Sequence, residues 1–406
     1  MTVDIICKVV DNLGDAGFAY RLARALAELP ESPAIRLVVD DLAAFASLCP
    51  GIDPALPFQT VGEWAVARWD DPGTEARSRF LAERPRAVVE CYSCGHPEWF
   101  GEILFDPLDT EPRHIVNLEY LTLESWARDF HLLPSLTADP RVKKSFFMPG
   151  LDEGTGGLLV DSAFATLLDT VASREGRAKI RGDFLSRARA LPGFTLERSP
   201  SIPDAQWTVV FSYEHDFSAL VADLGAFARE TPLVAFVAAG RSSRPFLDAW
   251  ERAGRPFAVC RLPMLPQPLW DSLLVASDFA IVRGEESFAR AILAGKPFLW
   301  ECYPFADGKE SSDGAETARE AWNGHLPKVR AFLDRLKPRL SPADYALYER
   351  LTLSFNGVGD AESAPGDLLA VLRSSETPAS FAALSREVRN LGNLAVNLMT
   401  FMRDIG

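Results

Sequence analysis

No apolar run in this sequence approaches the ~20 residues needed to cross a bilayer; stretches such as Leu233 to Ala239 are short. Basic charge is scarce. With 42 Lys and Arg against 56 Asp and Glu, the formal net charge is −14. That argues against broad binding to a nucleic-acid backbone, which wants a positive field. The five histidines form no H-E-x-x-H. Six cysteines in 406 residues do not make a disulfide scaffold. The single C-x-x-C, Cys91 to Cys94, has no second pair to complete a zinc site, so buried or incidental thiols are expected. G-x-S-x-G, P-loop and G-x-G-x-x-G motifs are absent. Serine-hydrolase and nicotinamide-oxidoreductase readings therefore lack their fingerprints. Met1-Thr2-Val3-Asp4 leads directly into a strand-like run without a signal-peptide pattern. The expectation is a cytoplasmic chain with reduced thiols, bound to neither membrane nor nucleic acid.

What is present is globular: 48% hydrophobic and 24% charged, enough for two to three domains. Asp4 to Val10 reads as a strand, Asp11 to Asp15 as a turn, and Phe18, Leu22, Leu26 and Leu29 as a helix face. Strands are expected at Ile35–Val39, Val88–Tyr92 and His114–Leu121. The pattern restarts at Trp207–Tyr213, then Leu233–Ala239, Phe257–Leu262, Phe279–Val282 and Pro297–Tyr303, with helices between. Such alternation predicts an α/β fold with parallel sheets. Ser199 to Asp204 has linker composition, which places domains at 1–198 and 199–376. Residues 377–406 are a helical tail, broken at Gly392, expected to pack on the N-terminal domain. Two Rossmann-like domains facing a cleft follow, with ligands outside the carboxyl ends of the strands.

Three loops carry candidate chemistry. Asp11 and Asp15 flank the first βα turn, where carboxylates would repel a pyrophosphate and suit catalysis or a cation. Turn and N-cap roles explain the same spacing. Arg283-Gly284-Glu285-Glu286-Ser287 lies between strand and helix, where free N–H groups can hold phosphate. Acidic residues complementing a helix dipole would look alike. Phe211 and Tyr213 end a strand and suit either base stacking or the core. Gln267 offers a donor and an acceptor to a pyrimidine edge.

Together these segments resemble one family along nearly the whole chain: the EarP protein-arginine rhamnosyltransferases, which modify bacterial elongation factor P. The carrying residues include Val9 to Asp15, Arg21 to Arg24, Val39 to Leu42, Asn117 to Leu121, Trp126, Phe146 to Gly150 and Thr155 to Leu158. Phe211 to Glu214, Leu265 to Gln267 and Arg283 to Phe288 complete them. The resemblance implies GT-B architecture, dTDP-β-L-rhamnose as donor, an elongation factor P arginine as acceptor, inversion at the anomeric carbon, and neither metal nor other cofactor. It implies Asp15 as general base, Asp11 as the acidic partner holding the acceptor, and Glu285 as an essential glutamate. It also implies donor contacts from Asn12, Gly14, Phe211, Tyr213, Gln267, Trp270, Arg283, Glu285, Glu286 and Ser287. Met264 departs from the family, which often has an aromatic side chain there, and Trp270 stands at another such position. The segment 304–324 is longer and more acidic than the family leads one to expect. A different nucleotide sugar or acceptor, or a scaffold that binds elongation factor P without transfer, are the competing readings.

The acidic loop suits a guanidinium. Arginine stays protonated, with a pKa above ~12. Its delocalised lone pairs make it a poor nucleophile. Two carboxylates can grip it by charge-assisted bonds and direct one nitrogen. A carboxylate cannot deprotonate it beforehand, so the proton leaves as the bond forms, or the carboxylates localise charge and expose a lone pair.

Overall fold

The computed structural model describes residues 1–9, 13–49, 51–137, 139–197, 204–302, 326–358 and 365–404. It divides into two compact units, Met1–Ser162 with Val388–Gly406, and Ala163–Glu387.

In the first unit the strands are β1 Thr2–Cys7, β2 Ala34–Val39, β3 Phe58–Val61, β4 Trp64–Arg68, β5 Ala87–Cys91, β6 Arg113–Leu118, β7 Pro134–Ser135 and β8 Val142–Phe147. They form one sheet, in the order β3-β4-β2-β1-β5-β6-β8-β7. Pairing is parallel except at the two edges, where β3 on β4 and β7 on β8 are antiparallel. β5 and β6 are buried along their full length, as strands covered on both faces must be. The helix Leu13–Ala27 packs Ala16, Ala19 and Leu22 into the same core as Val3, Ile5 and Val39. Leu394, Leu398, Met399 and Met402 of the last helix, Leu394–Asp404, join that core. Of the expected tail 377–406, residues 377–387 belong to the second unit and only Val388–Gly406 to the first, where the last helix packs. The break before it is Gly392, at φ +96°.

The second sheet is built from β9 Thr195–Glu197, β10 Gln206–Val210, β11 Leu233–Val237, β12 Ala258–Arg261, β13 Phe279–Arg283 and β14 Phe298–Glu301. Its order is β14-β13-β10-β11-β12-β9, parallel except for β9.

In each sheet the chain leaves the first central strand in one direction and later returns to its other side. β1 lies between β2 and β5, and β10 between β11 and β13. These are switch points, where the loops beyond the carboxyl ends splay apart and leave a crevice for ligand.

Two expectations are corrected. The first unit ends at Ser162, not near residue 198. The helix Arg174–Ala188 belongs to the second unit because Arg177 and Arg181 donate to the carbonyl of Ala276 and the carboxylate of Asp278. Of the linker-like Ser199 to Asp204, only Asp204 is among the described residues. Several strands are also shorter than expected. β1 stops at Cys7, β6 at Leu118 and β10 at Val210. Phe211 to Tyr213 and Glu119 to Leu121 thus lie in the loops past the strand ends, the edge where such sheets bind ligands.

Candidate active site

The carboxyl edge of the first sheet is built around Asp15. It sits in the first turn of the helix that follows β1 and is only 2% exposed. The helix N-terminus favours its negative charge. The Tyr120 hydroxyl, from the loop after β6, donates to Asp15 Oδ1 at 3.0 Å. Tyr120 stacks on Tyr92, with ring centroids 3.8 Å apart and planes within 2°. Tyr92 and Ser93 both take left-handed backbone conformations, at φ 61° and 54°. Such conformations cost of order 1–2 kcal/mol each in residues bearing a Cβ. A local network holds them. Asn117 Oδ1 accepts from the Ser93 N–H at 3.0 Å, and Glu119 Oε1 accepts from Ser93 Oγ at 2.8 Å and Asn117 Nδ2 at 2.6 Å. Gly14 is the second residue of the helix. Asp11 and Asn12 lie outside the described residues.

Beneath this edge are the thiols. A hydrogen bond with Cys7, together with burial, pushes the Cys91 thiol well above its ordinary range. Burial, aided by Glu90, pushes Cys94 up to about 12. Both stay protonated at neutral pH, which removes the nucleophilic and ligand chemistry of a thiolate. Among the described residues no three His, Cys, Asp or Glu side chains converge to hold a metal ion.

The second sheet presents a different constellation. The Arg283 guanidinium lies over the rings of both Phe211, at 4.7 Å, and Tyr213, at 4.5 Å. Trp270 packs edge-on against Phe211 at 5.1 Å. These four gather at the switch point. The helix Gly284–Ala294 starts directly after Arg283, whose own side chain makes no capping hydrogen bond. Gly284 has φ +65°, where a Cβ would be strained. Its carbonyl accepts from Trp300 Nε1 at 2.9 Å, which fixes the turn. Glu285 pairs with Lys328 at 2.9 Å, both largely buried. Glu286 pairs instead with Arg290, four residues on, at 3.1 Å. Ser287 is half-buried in the same first turn, and Gln267 opens the helix Gln267–Ala276. Met264 is 58% exposed.

Sequence reasoning missed Tyr92, Tyr120, Lys328 and Glu301 as site residues. Glu301, at the end of β14, accepts from Ser212 Oγ, from the Tyr213 N–H at 2.8 Å and from His215 Nε2 at 2.6 Å. It thereby fixes the loop that carries Phe211 and Tyr213. The available signal was position, since each of Tyr92, Tyr120 and Glu301 closes or follows a strand at its ligand edge.

Among the described residues no helix is long and apolar enough to cross a membrane. The profile of the elongation factor P rhamnosyltransferase EarP matches residues 3–403. A protein-arginine rhamnosyltransferase of Pseudomonas aeruginosa is 32% identical, over 84% of this chain and 83% of its own. One from Neisseria meningitidis serogroup B is 31% identical, over 89% of this chain and 85% of its own. Among solved structures, one described as the structural basis for EarP-mediated arginine glycosylation of translation elongation factor EF-P covers 99% of both chains, with TM-score 0.58 and 22% identity. A glycosyltransferase from Rickettsia africae covers 100% of this chain and 98% of its own, with TM-score 0.52 and 9% identity. Both likenesses are in fold, which is of the GT-B type. The chain belongs to the family of EarP protein-arginine rhamnosyltransferases.

Proposed function

We propose that this chain transfers L-rhamnose from dTDP-β-L-rhamnose to an arginine of elongation factor P, with inversion and without a metal. The observation that carries the reading is Asp15, buried at the first switch point and held by Tyr120. A buried, oriented carboxylate at that edge is what a guanidinium nucleophile needs.

In the proposed step a terminal guanidinium nitrogen attacks the anomeric carbon. The C–N bond forms as the C–O bond to the diphosphate breaks. The proton on nitrogen passes to the Asp15 carboxylate in the same step, so no free neutral arginine has to accumulate. A single displacement of this kind inverts the anomeric centre. The charge developing on the diphosphate would be met by Arg283 and the first N–H groups of Gly284–Ala294. Phe211 and Tyr213 offer aromatic surface to the thymine, and Arg283, whose guanidinium lies over both rings, offers its charge to the phosphates. Pairing with Lys328 neutralises Glu285, which makes its place beside an anionic donor tolerable.

The deciding experiment is intact mass of elongation factor P after incubation with this protein and dTDP-β-L-rhamnose. A gain of one deoxyhexose on a loop arginine is expected. No gain, with donor shown to bind, would sink the acceptor assignment.

Two smaller effects follow. Tyr213→Ala should weaken donor binding about 10–100-fold, the worth of one aromatic–base stack, with little change in kcat. Calorimetric titration with dTDP checks it, and unchanged affinity would remove the stacking role. Tyr120→Phe keeps the stack on Tyr92 but loses the hydrogen bond to Asp15. A bond to a charged group is worth about 1.5–3 kcal/mol, so kcat should fall about tenfold or more while dTDP affinity holds. If Tyr120→Phe is as active as wild type, the hydroxyl does not orient the base.

A further inference from the structure

Exposed apolar surface is unevenly spread. Among the described residues eleven large hydrophobic side chains are exposed, and five of them, Trp126, Phe130, Leu132, Leu133 and Leu136, lie within eleven consecutive positions. Scattered exposed apolar residues need no explanation, but a cluster marks an interaction surface. The local structure holds these side chains outward. Trp126 and Phe130, one helical turn apart, pack edge to face at 5.5 Å. His131 is the inward anchor. Its Nδ1 accepts from the Met148 N–H at 3.0 Å, and burial pushes its pKa down to about 4, so it stays neutral. Leu132 is held at φ 65°, a region that residues with a Cβ rarely enter. Its N–H donates to the Phe146 carbonyl at 2.8 Å, and the Phe146 N–H donates to the Leu133 carbonyl at 3.0 Å.

Topology fixes where this surface lies. β6 and β8 run parallel and end side by side, at Leu118 and Phe147. The stretch from Trp126 to Leu133 leaves the end of β6 and pairs with Phe146 near the end of β8. It therefore occupies the carboxyl edge of the sheet, the edge that carries Asp15 and Tyr120. Leu136 lies just past β7, which runs back along β8. From β1 to β8 is three strand steps, or about 14 Å at ~4.8 Å per step. A standard protein interface covers ~800 Å² on each partner, a patch about 30 Å across. One footprint of that size spans both Asp15 and the apolar cluster.

We propose that Trp126, Phe130, Leu132 and Leu133 dock the body of the acceptor protein, elongation factor P, beside the arginine presented to Asp15. The proposal rests on the functional reading above. Its chemical reason is selectivity. A guanidinium is common to every arginine in the cell, so gripping it cannot single out one protein, and a second contact must. Trp and Phe are the residue types that most often carry such contacts.

The test uses the full chain as Trp126→Ala, and as Trp126→Ala/Phe130→Ser/Leu133→Ser. All three side chains are exposed, so folding should survive, and the thermal midpoint checks that. Leu132 is left alone because of its backbone conformation. Titration with elongation factor P gives Kd, and transfer rates at saturating dTDP-β-L-rhamnose give KM and kcat. Trp126→Ala should raise Kd and KM for elongation factor P about tenfold, and the triple variant further. The kcat at saturating acceptor should stay within about twofold, because only uniform binding is lost, and dTDP affinity should be unchanged. A folded triple variant with wild-type Kd and KM would overturn the proposal. If the wild type binds elongation factor P but transfers nothing, the functional reading fails, and the Kd series still decides the docking surface. If it does not bind at all, both fall.

Discussion

Asp15→Asn should abolish rhamnosyl transfer while leaving dTDP binding near normal. The substitution is nearly isosteric, and the Tyr120 hydroxyl can still donate to the remaining oxygen. What disappears, on the proposed mechanism, is the charge that grips a guanidinium and the basicity that takes its proton. General-base catalysis alone contributes about 10²–10⁴-fold, and loss of a charge-assisted grip adds to that. A fall of at least three orders of magnitude in kcat/KM is expected. The proposed donor contacts at Phe211, Tyr213 and Arg283 belong to the second unit, whereas Asp15 belongs to the first, so the dTDP affinity should hold. The measurement pairs intact-mass rates with dTDP titration. Equal loss of both would make Asp15 a structural residue and return the first βα turn to a cap.

The same residues show what a sequence can carry. The central strands were legible because they are short, largely apolar runs, as in Leu233 to Val237. The strands β3, β7 and β9 span only two to four residues, partly exposed, at the sheet edges. They exist through pairing with a neighbour rather than through their own composition, so no local pattern announced them. The unit boundary failed for the same reason. Arg177 and Arg181 tie their helix to Asp278 about a hundred positions away, and linker-like composition near residue 200 says nothing of that. Site residues divide likewise. Arg283, Phe211 and Tyr213 end or follow a predicted strand, where chemistry concentrates in parallel sheets. Tyr120 reaches Asp15 across 105 positions, Glu301 reaches Tyr213 across 88, and Lys328 reaches Glu285 across 43. Only the folded chain shows those pairs.

Lys328 gives the second large effect its test. Its ammonium holds Glu285 Oε1 at 2.9 Å, with side-chain exposures of 12% and 17%. One carboxylate oxygen is thus fixed, and the proposed contact with a hydroxyl of the donor falls to the other. Glu285→Ala removes that acceptor and leaves Lys328 charged and poorly solvated. Transfer should fall by about two to three orders of magnitude, because a lost bond to a donor hydroxyl and a loosened turn act together. Lys328→Met should cost only about tenfold if the lysine merely orients the glutamate. The cycle separates the roles. With Glu285 in direct contact with the donor, Glu285→Ala costs far more than Lys328→Met, and the double variant matches Glu285→Ala. Were the two single variants equally impaired, and the double variant no worse, the ion pair itself would be the functional unit. The contact would then pass from Glu285 to the turn that the pair holds in place.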